Sequence, residues 1–328
     1  MLSKKGFLIG EELTISEYLK KFEEKDIRAL SKIITIVEEG LEGSEEILDY
    51  ISKKTGKAYR IGFTGPQGSG KSTLIAKLTK RLLKRIKGIG IIACDPSSPF
   101  SRGALLGDRI RMSELFLEEE VFIRSMATRG SLNGLAYKTK EVADILDAFG
   151  KELIIIETIG ASQVDVEISN LVDTTVVVFV PESGDGIQIL KAGLTEIGDI
   201  FVINKSDRMG ADVLYYELKN LIEMSYQNSK WKPPVVLTQA LNNQGIEELE
   251  KSIFEHYNYL KENNLLQEKR KNMLKRELAN SFEEEILKIY WQDERIRRRF
   301  DEIFLEILNK KISFSEGIKK LLKEVKND

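Results

Sequence analysis

Between Tyr59 and about Leu260 the chain alternates short apolar runs with amphipathic stretches. The runs at 60–64, 89–94, 121–124, 152–157, 174–180, 199–203 and 234–238 predict strands. The stretches at 73–86, 137–149, 166–171, 186–196, 211–225 and 245–260 place apolar residues at helical spacing and predict helices. Runs such as Leu153–Ile156 and Thr175–Val180 show no polar alternation, so both faces of those strands must be covered. The pattern predicts an α/β fold with a largely parallel central sheet flanked by helices. Outside this region the strand signal stops. Residues 12–55 predict helices, with Leu30, Ile33, Ile34 and Val37 on one stripe, Gly40 and Gly43 as punctuation, and Ile47, Leu48 and Ile51 in a second helix. Residues 262–292 predict a long charged helix with Leu274, Leu278, Phe282, Ile286 and Ile289 on one side, followed by helices at 294–309 and 314–326. Three parts are expected: an N-terminal helical extension (1–57), a sheet domain (58–261) and a C-terminal helical arm (262–328). An apolar stripe on such an arm needs a cover, either the sheet domain or a second subunit.

Composition narrows the class. With 328 residues, 42% hydrophobic and 31% charged, the chain has material for a substantial core and a soluble surface. A net charge of −2 gives no global electrostatic case for nucleic acid or an anionic membrane. No apolar run reaches membrane-spanning length and the N-terminus lacks a signal-peptide pattern, so a cytoplasmic protein is expected. The single cysteine, Cys94, excludes an intramolecular disulfide, and the single histidine, His256, excludes a multi-histidine metal site. Cys94 beside Asp95 reads as a small buried strand residue rather than a redox switch.

The chemistry concentrates at the ends of the predicted strands. Gly65-Pro66-Gln67-Gly68-Ser69-Gly70-Lys71-Ser72 reads G-x-x-x-x-G-K-[ST], directly after a strand and opening a helix at Thr73. Glycines let backbone amides face inward without side chains in the way. The helix start adds the positive end of its dipole. Lys71 supplies a point charge for the β- and γ-phosphates, and the Ser72 hydroxyl can ligate Mg²⁺. A nucleotide site is the reading.

Asn204-Lys205-Ser206-Asp207 follows the apolar run Asp199–Ile203, and N-K-x-D at a strand end resembles the guanine-specificity motif of GTPases. A carboxylate at Asp207 can accept two hydrogen bonds from guanine's ring N–H and exocyclic amine, a donor pair adenine does not offer. Buried there, it would reject adenine. Asn204 ties loops together, and the Lys205 stem can cover the base. Thr238-Gln239-Ala240, ending the last strand, resembles in its position the loop with which GTPases support the guanine from behind. Glu157 ends an apolar strand ahead of Thr158-Ile159-Gly160, whose glycine amide can face the γ-phosphate. Asp95 ends the preceding strand in Asp95-Pro96-Ser97-Ser98-Pro99, and Asp108 follows in Gly107-Asp108-Arg109-Ile110-Arg111. Each acid is a candidate for Mg²⁺, directly or through water; Asp108, like the others, can instead be only a helix cap. Arg295, Arg297, Arg298 and Arg299 read as a solvated basic face rather than a phosphate site.

Taken together these strings resemble the methylmalonyl-CoA mutase-associated GTPases of the MeaB/ArgK type, within the P-loop GTPases related to metallochaperones. The resemblance covers roughly residues 26–260. It rests on Asp26-Ile27-Arg28-Ala29-Leu30, Asp95-Pro96-Ser97-Ser98-Pro99-Phe100, Gly103 through Met112, Thr128-Arg129-Gly130-Ser131-Leu132, Glu157-Thr158-Ile159-Gly160 and Asn204-Lys205-Ser206-Asp207. It implies a P-loop GTPase fold and Mg²⁺-dependent conversion of GTP to GDP and phosphate. It further implies a role as chaperone to an adenosylcobalamin-dependent acyl-CoA mutase, gating cofactor loading and protecting the mutase. Such proteins are typically homodimers through a C-terminal helical arm. By position, the resemblance makes Lys71 the phosphate lysine, Ser72 a metal ligand, and Asp95, Asp108 and Glu157 the metal-side or water-positioning acids. Asn204, Lys205 and Asp207 read guanine, and Lys191 falls in a loop responding to the partner. Two departures stand out: Gln67 replaces the second proline usual in the phosphate loop, and Ala161-Ser162-Gln163-Val164-Asp165 replaces a more glycine-rich run ending in Glu.

No obvious water-positioning glutamine stands out; Gln163 is the candidate, with Arg109 or Arg129 as a charge stabiliser or carboxylate partner. Slow intrinsic turnover changed by a partner is the expectation. Competing readings are a transport-linked kinase, a metal-delivery GTPase, and a scaffold that binds GTP without hydrolysing it. One histidine and one cysteine weigh against metal delivery.

Overall fold

The computed structural model describes residues 13–95, 111–128, 134–160, 165–181 and 194–326. It divides into two compact units, Met1–Leu266 and Gln267–Asp328.

The first unit is built on seven strands: β1 (Tyr59–Thr64), β2 (Ile89–Asp95), β3 (Val121–Ala127), β4 (Leu153–Glu157), β5 (Thr174–Phe179), β6 (Ile200–Asn204) and β7 (Val235–Thr238). They form one parallel sheet in the order β3-β2-β4-β1-β5-β6-β7. Every run expected to be a strand is one. β3 continues to Ala127 instead of stopping at 124 because it stays paired with β2 up to Asp95↔Ala127. As an edge strand only half covered, it lacks the continuous apolar run that marks its neighbours.

Two layers cover the sheet. On one side α4 (Lys71–Leu82) and α8 (Ile246–Glu262) bury Ile61, Phe63, Ile155, Val176 and Val202. On the other, α1 (Ile15–Glu23), α2 (Ile27–Glu38), α3 (Ser44–Ser52) and α5 (Thr139–Phe149) enclose Ile92, Cys94, Ile154 and Ile156. The next residues along the same side, Val177, Phe179, Phe201 and Ile203, lie under α7 (Ala211–Ser225), beyond the short α6 (Leu194–Ile197). Strand residues thus alternate between two apolar layers, as the unbroken runs require.

The N-terminal region breaks once more than expected. Lys25 takes a left-handed φ of 66° and the Asp26 carboxylate caps α2, accepting from the Arg28 and Ala29 amides. The helices are fastened to the sheet layer: Lys25 Nζ donates to the Phe149 carbonyl, Arg124 pairs with Glu38, and the Phe22 and Phe149 rings meet edge to face at 5.1 Å. Asp147 is buried and accepts from the amides of Gly56, Lys57 and Ala58, while Arg60 reaches Asp144 at 2.6 Å. The linker into β1 is therefore fixed to α5 on either side of Tyr59 in sequence.

The stretch at 166–171 forms a 3₁₀ segment, Asp165–Asn170, rather than an α-helix. Its Ile168 lies on β1 so closely that a Cβ added at Gly62 would fall 2.4 Å from Ile168 Cγ1 and 3.0 Å from Val172 Cγ2.

The second unit holds most of α9 (Leu265–Gln292), with α10 (Glu294–Leu308) and α11 (Phe314–Lys326). Within it α10 and α11 pack closely at Gly317, where a Cβ would meet Ile307 Cδ1 at 2.6 Å. Lys320 pairs with Glu306 at 2.8 Å, and Trp291 meets Phe300 edge to face. Leu274, Leu278, Phe282 and Ile289 on α9 are exposed. Among the described residues no helix is long and apolar enough to cross a membrane.

Gly62→Ala should overpack this contact, because Ile168 and Val172 are fully buried and cannot move into solvent. A loss of about 1–3 kcal/mol is expected as a lower midpoint in urea unfolding; an unchanged midpoint would mean the 3₁₀ segment yields freely.

Candidate functional site

The carboxyl ends of the parallel strands gather the predicted residues, as the geometry of such sheets requires. β1 runs straight into the glycine loop, and the loop leads into α4. Gly70 adopts a left-handed φ of 87° and caps the helix, so α4 begins at Lys71 rather than at Thr73. Lys71 and Ser72 consequently sit on the first turn, both buried. Gly65, at φ 133°, lies against β5: a Cβ there would stand 2.1 Å from the Val178 carbonyl oxygen. Gln67 and Gly68 are exposed at the rim, Pro66 is half-buried, and Thr73 follows Ser72 on the helix.

Lys71 Nζ donates to the carbonyls of Gly65 (2.8 Å) and Pro66 (3.1 Å). Its ammonium is thus curled over the loop, where an incoming anion would meet it. The Ser72 hydroxyl donates to Glu157 Oε1 at 2.8 Å. Ser69 Oγ is buried and has no hydrogen-bond partner among the described residues.

The base motif is bound to the phosphate loop through Asn204. Its Nδ2 donates to the Ser69 carbonyl at 2.9 Å, while its Oδ1 accepts from Thr238 Oγ1 (3.1 Å) and the Ala240 amide (3.2 Å). Lys205, in a left-handed turn at φ 56°, sends Nζ back to the Gly68 carbonyl at 2.9 Å. Thr238 and Ala240 are buried, and Gln239 is bridged to Gln244 by two backbone hydrogen bonds. At Gly245 a Cβ would lie 2.0 Å from the Leu237 carbonyl oxygen, so this turn demands glycine.

Asp207 departs from expectation. It is exposed, in the turn after β6 that is closed by the Arg208 amide on the Lys205 carbonyl. The residues of the turn, Asp207 through Gly210, are exposed.

Asp95 and Glu157 are both buried at neighbouring strand ends, Asp95 lying two residues past Ala93, the register partner of Glu157. Among the described residues no group of three or more His, Cys, Asp or Glu side chains could hold a metal ion. The set at hand, a serine hydroxyl and two carboxylates, is a hard-oxygen set; it fits Mg²⁺, which keeps several waters and takes few protein ligands. Asp108, Arg109, Arg129, Gln163 and Lys191 lie outside the described residues.

Two features escape sequence reasoning. Thr158 Oγ1 donates to Thr64 Oγ1 at 3.1 Å, both fully buried, which fastens the segment after β4 to the strand feeding the phosphate loop. The only sequence signal is a threonine following the terminal carboxylate of an apolar strand. The second is remote: His256 is buried at the opposite ends of the strands, bonded to Thr174 Oγ1 at 2.7 Å and facing Asp199. It is a structural histidine. Burial likewise pushes the Cys94 thiol up to about 11, which keeps it protonated and unreactive.

Comparison with known proteins agrees with this geometry. The family profile described as methylmalonyl Co-A mutase-associated GTPase MeaB matches residues 30–295. A Pyrococcus abyssi protein named only as a GTPase is 44% identical over 95% of this chain and 97% of its own. GTPase ArgK of Escherichia coli is 30% identical over 94% of this chain and 96% of its own. The crystal structure of an LAO/AO transport system kinase is similar with a TM-score of 0.71 and 25% identity, covering 98% of this chain and all of that one. A seven-stranded parallel sheet, a phosphate loop stitched to a base motif and this match over most of the length place the chain in the methylmalonyl-CoA mutase-associated family of P-loop GTPases.

Proposed function

We propose that this GTPase uses Mg²⁺ to hydrolyse GTP and serves an adenosylcobalamin-dependent acyl-CoA mutase of the methylmalonyl-CoA type, coupling nucleotide state to cofactor loading and mutase protection. The observation that carries the nucleotide reading is the Asn204 side chain, which joins the Ser69 carbonyl of the phosphate loop to Thr238 and Ala240 behind the base position. The partner reading is supported by family membership.

In this scheme the loop amides and Lys71 receive the β- and γ-phosphates and neutralise charge that develops during transfer. Ser72, Asp95 and Glu157 would hold Mg²⁺, with Asp108 assigned to the same acid set. When bound, the ion shields the phosphate oxygens. The Ser72–Glu157 hydrogen bond keeps both oxygens at one place beside Lys71. Asp207, exposed at the turn, accepts the paired N–H groups of guanine, and the bound base covers it. The Lys205 stem lies along the base, and Thr238, Gln239 and Ala240 support it. The exposed apolar residues of α9, Leu274, Leu278, Phe282 and Ile289, favour a homodimer through the C-terminal unit. A transport-linked kinase, the name carried by the structural relative, gives Asp207 no purpose and requires a protein acceptor.

Asn204→Ala should weaken GDP binding about tenfold or more, because it removes one donor and strands the Thr238 hydroxyl and Ala240 amide. Titration with a fluorescent GDP reads this directly; unchanged affinity would discount the bridge. A pull-down from native extract, run with GDP or a non-hydrolysable GTP analogue, should recover a cobalamin-dependent mutase subunit in a nucleotide-dependent manner. Recovery of only a transporter, with phosphate transferred to it, would replace the mutase reading with the kinase one.

A further inference from the structure

The phosphate loop and the segment after β4 share a contact that the motif logic does not use. The peptide N–H of Gln67 donates to the carbonyl oxygen of Gly160 at 3.2 Å. Gly160 lies hard against the loop. At its φ of 73°, a Cβ would stand 2.0 Å from the Gly65 carbonyl oxygen and 2.7 Å from Lys71 Nζ. Two further bonds hold the segment there: the Thr158 amide on the Phe63 carbonyl at 3.0 Å, and the Thr158 hydroxyl on Thr64 at 3.1 Å. The Gly160 peptide therefore sits at the lysine end of the site, where the lysine of this motif reaches the outer phosphates.

A carbonyl oxygen aimed at a loop amide brings its negative end to the place that the oxygens of a terminal phosphate approach. One N–H cannot serve both acceptors, and the two oxygens repel each other in a partly desolvated site. A diphosphate ends short of this position and leaves the contact intact. We propose that the Gln67 N–H to Gly160 carbonyl bond discriminates nucleotide states: it persists with GDP, must open for GTP, and so lowers triphosphate affinity relative to diphosphate. This rests on the guanine-nucleotide reading of the site given above. Glycine at 160 meets both demands, since it alone tolerates the close approach and can turn its peptide without steric penalty. Gln67 supplies the donor through its backbone, and the proline expected at this position would carry no N–H.

The test compares Gln67→Pro with Gln67→Ala in competition titrations against GDP and a non-hydrolysable GTP analogue, with Mg²⁺ present. The φ of Gln67 is outside the left-handed region, so its sign suits proline. Gln67→Pro should raise the ratio of analogue to GDP affinity about fivefold, the worth of one neutral hydrogen bond. Gln67→Ala retains the N–H and should keep the wild-type ratio. The proposal is overturned if Gln67→Pro leaves the ratio unchanged, if Gln67→Ala shifts it as much, or if both nucleotides weaken by the same factor in Gln67→Pro. Should that variant fail to fold, as judged by its thermal melt, Thr158→Val loosens the same segment. It should raise the ratio about twofold, being one indirect tie lost; no change there also counts against the proposal. A wild-type protein that binds neither nucleotide would instead overturn the site reading, and the latch with it.

Discussion

Three loops from three different strands must hold one geometry, and the Asn204 amide is the group that makes them do so. It donates to the Ser69 carbonyl and accepts from Thr238 and Ala240, so the loops after β1, β6 and β7 cannot shift independently. The bridge is possible because Gly70 has no side chain; a Cβ there would lie 2.4 Å from Asn204 Nδ2. The left-handed backbone at Gly70 also starts α4 at Lys71, which turns Ser72 toward Glu157 and the lysine back over the loop. Glycine content, helix start and base loop are thus one mechanical arrangement. Buried hydrogen bonds of this kind are costly to leave half made, which gives the site a defined shape.

Support for that arrangement comes from below and from one side. β1 occupies the middle of the sheet between β4 and β5, so the phosphate loop emerges from a strand paired along both edges. Arg60 on this strand is held by Asp144 and Asp147, and Asp147 also collects the amides of the linker from α3. The N-terminal helices belong to the same compact unit as the sheet. Their packing on α5 places apolar cover over β2 and β4, the strands that end in Asp95 and Glu157.

Much of this was legible in the sequence, because a strand buried on both faces leaves an unbroken apolar run such as Leu153–Ile156. The phosphate loop and Asn204 motif were legible for a different reason: their chemistry needs particular residues at fixed spacing. What stayed hidden depends on partners far apart in the chain. The 3₁₀ form of Asp165–Asn170 follows from its seat on Gly62, and the length of β3 follows from its pairing with β2. Asp207 was expected to be buried, yet it is exposed, since a motif gives the residue but not its cover. The Thr64–Thr158 pair and the Gln67–Gly160 contact are invisible to spacing, because one joins two ordinary threonines and the other is made by backbone.

The central claim is that one site, held together through Asn204, takes a guanine nucleotide. Competition of GDP and ADP for the wild-type protein, read with a fluorescent guanine nucleotide in the presence of Mg²⁺, tests it most directly. The account predicts that GDP displaces the probe while ADP does not at a hundredfold or so greater concentration, as expected for a site with an acceptor pair matched to guanine. Equal displacement by ADP would contradict it, because the loop chemistry around Lys71 would then stand without a base-reading motif.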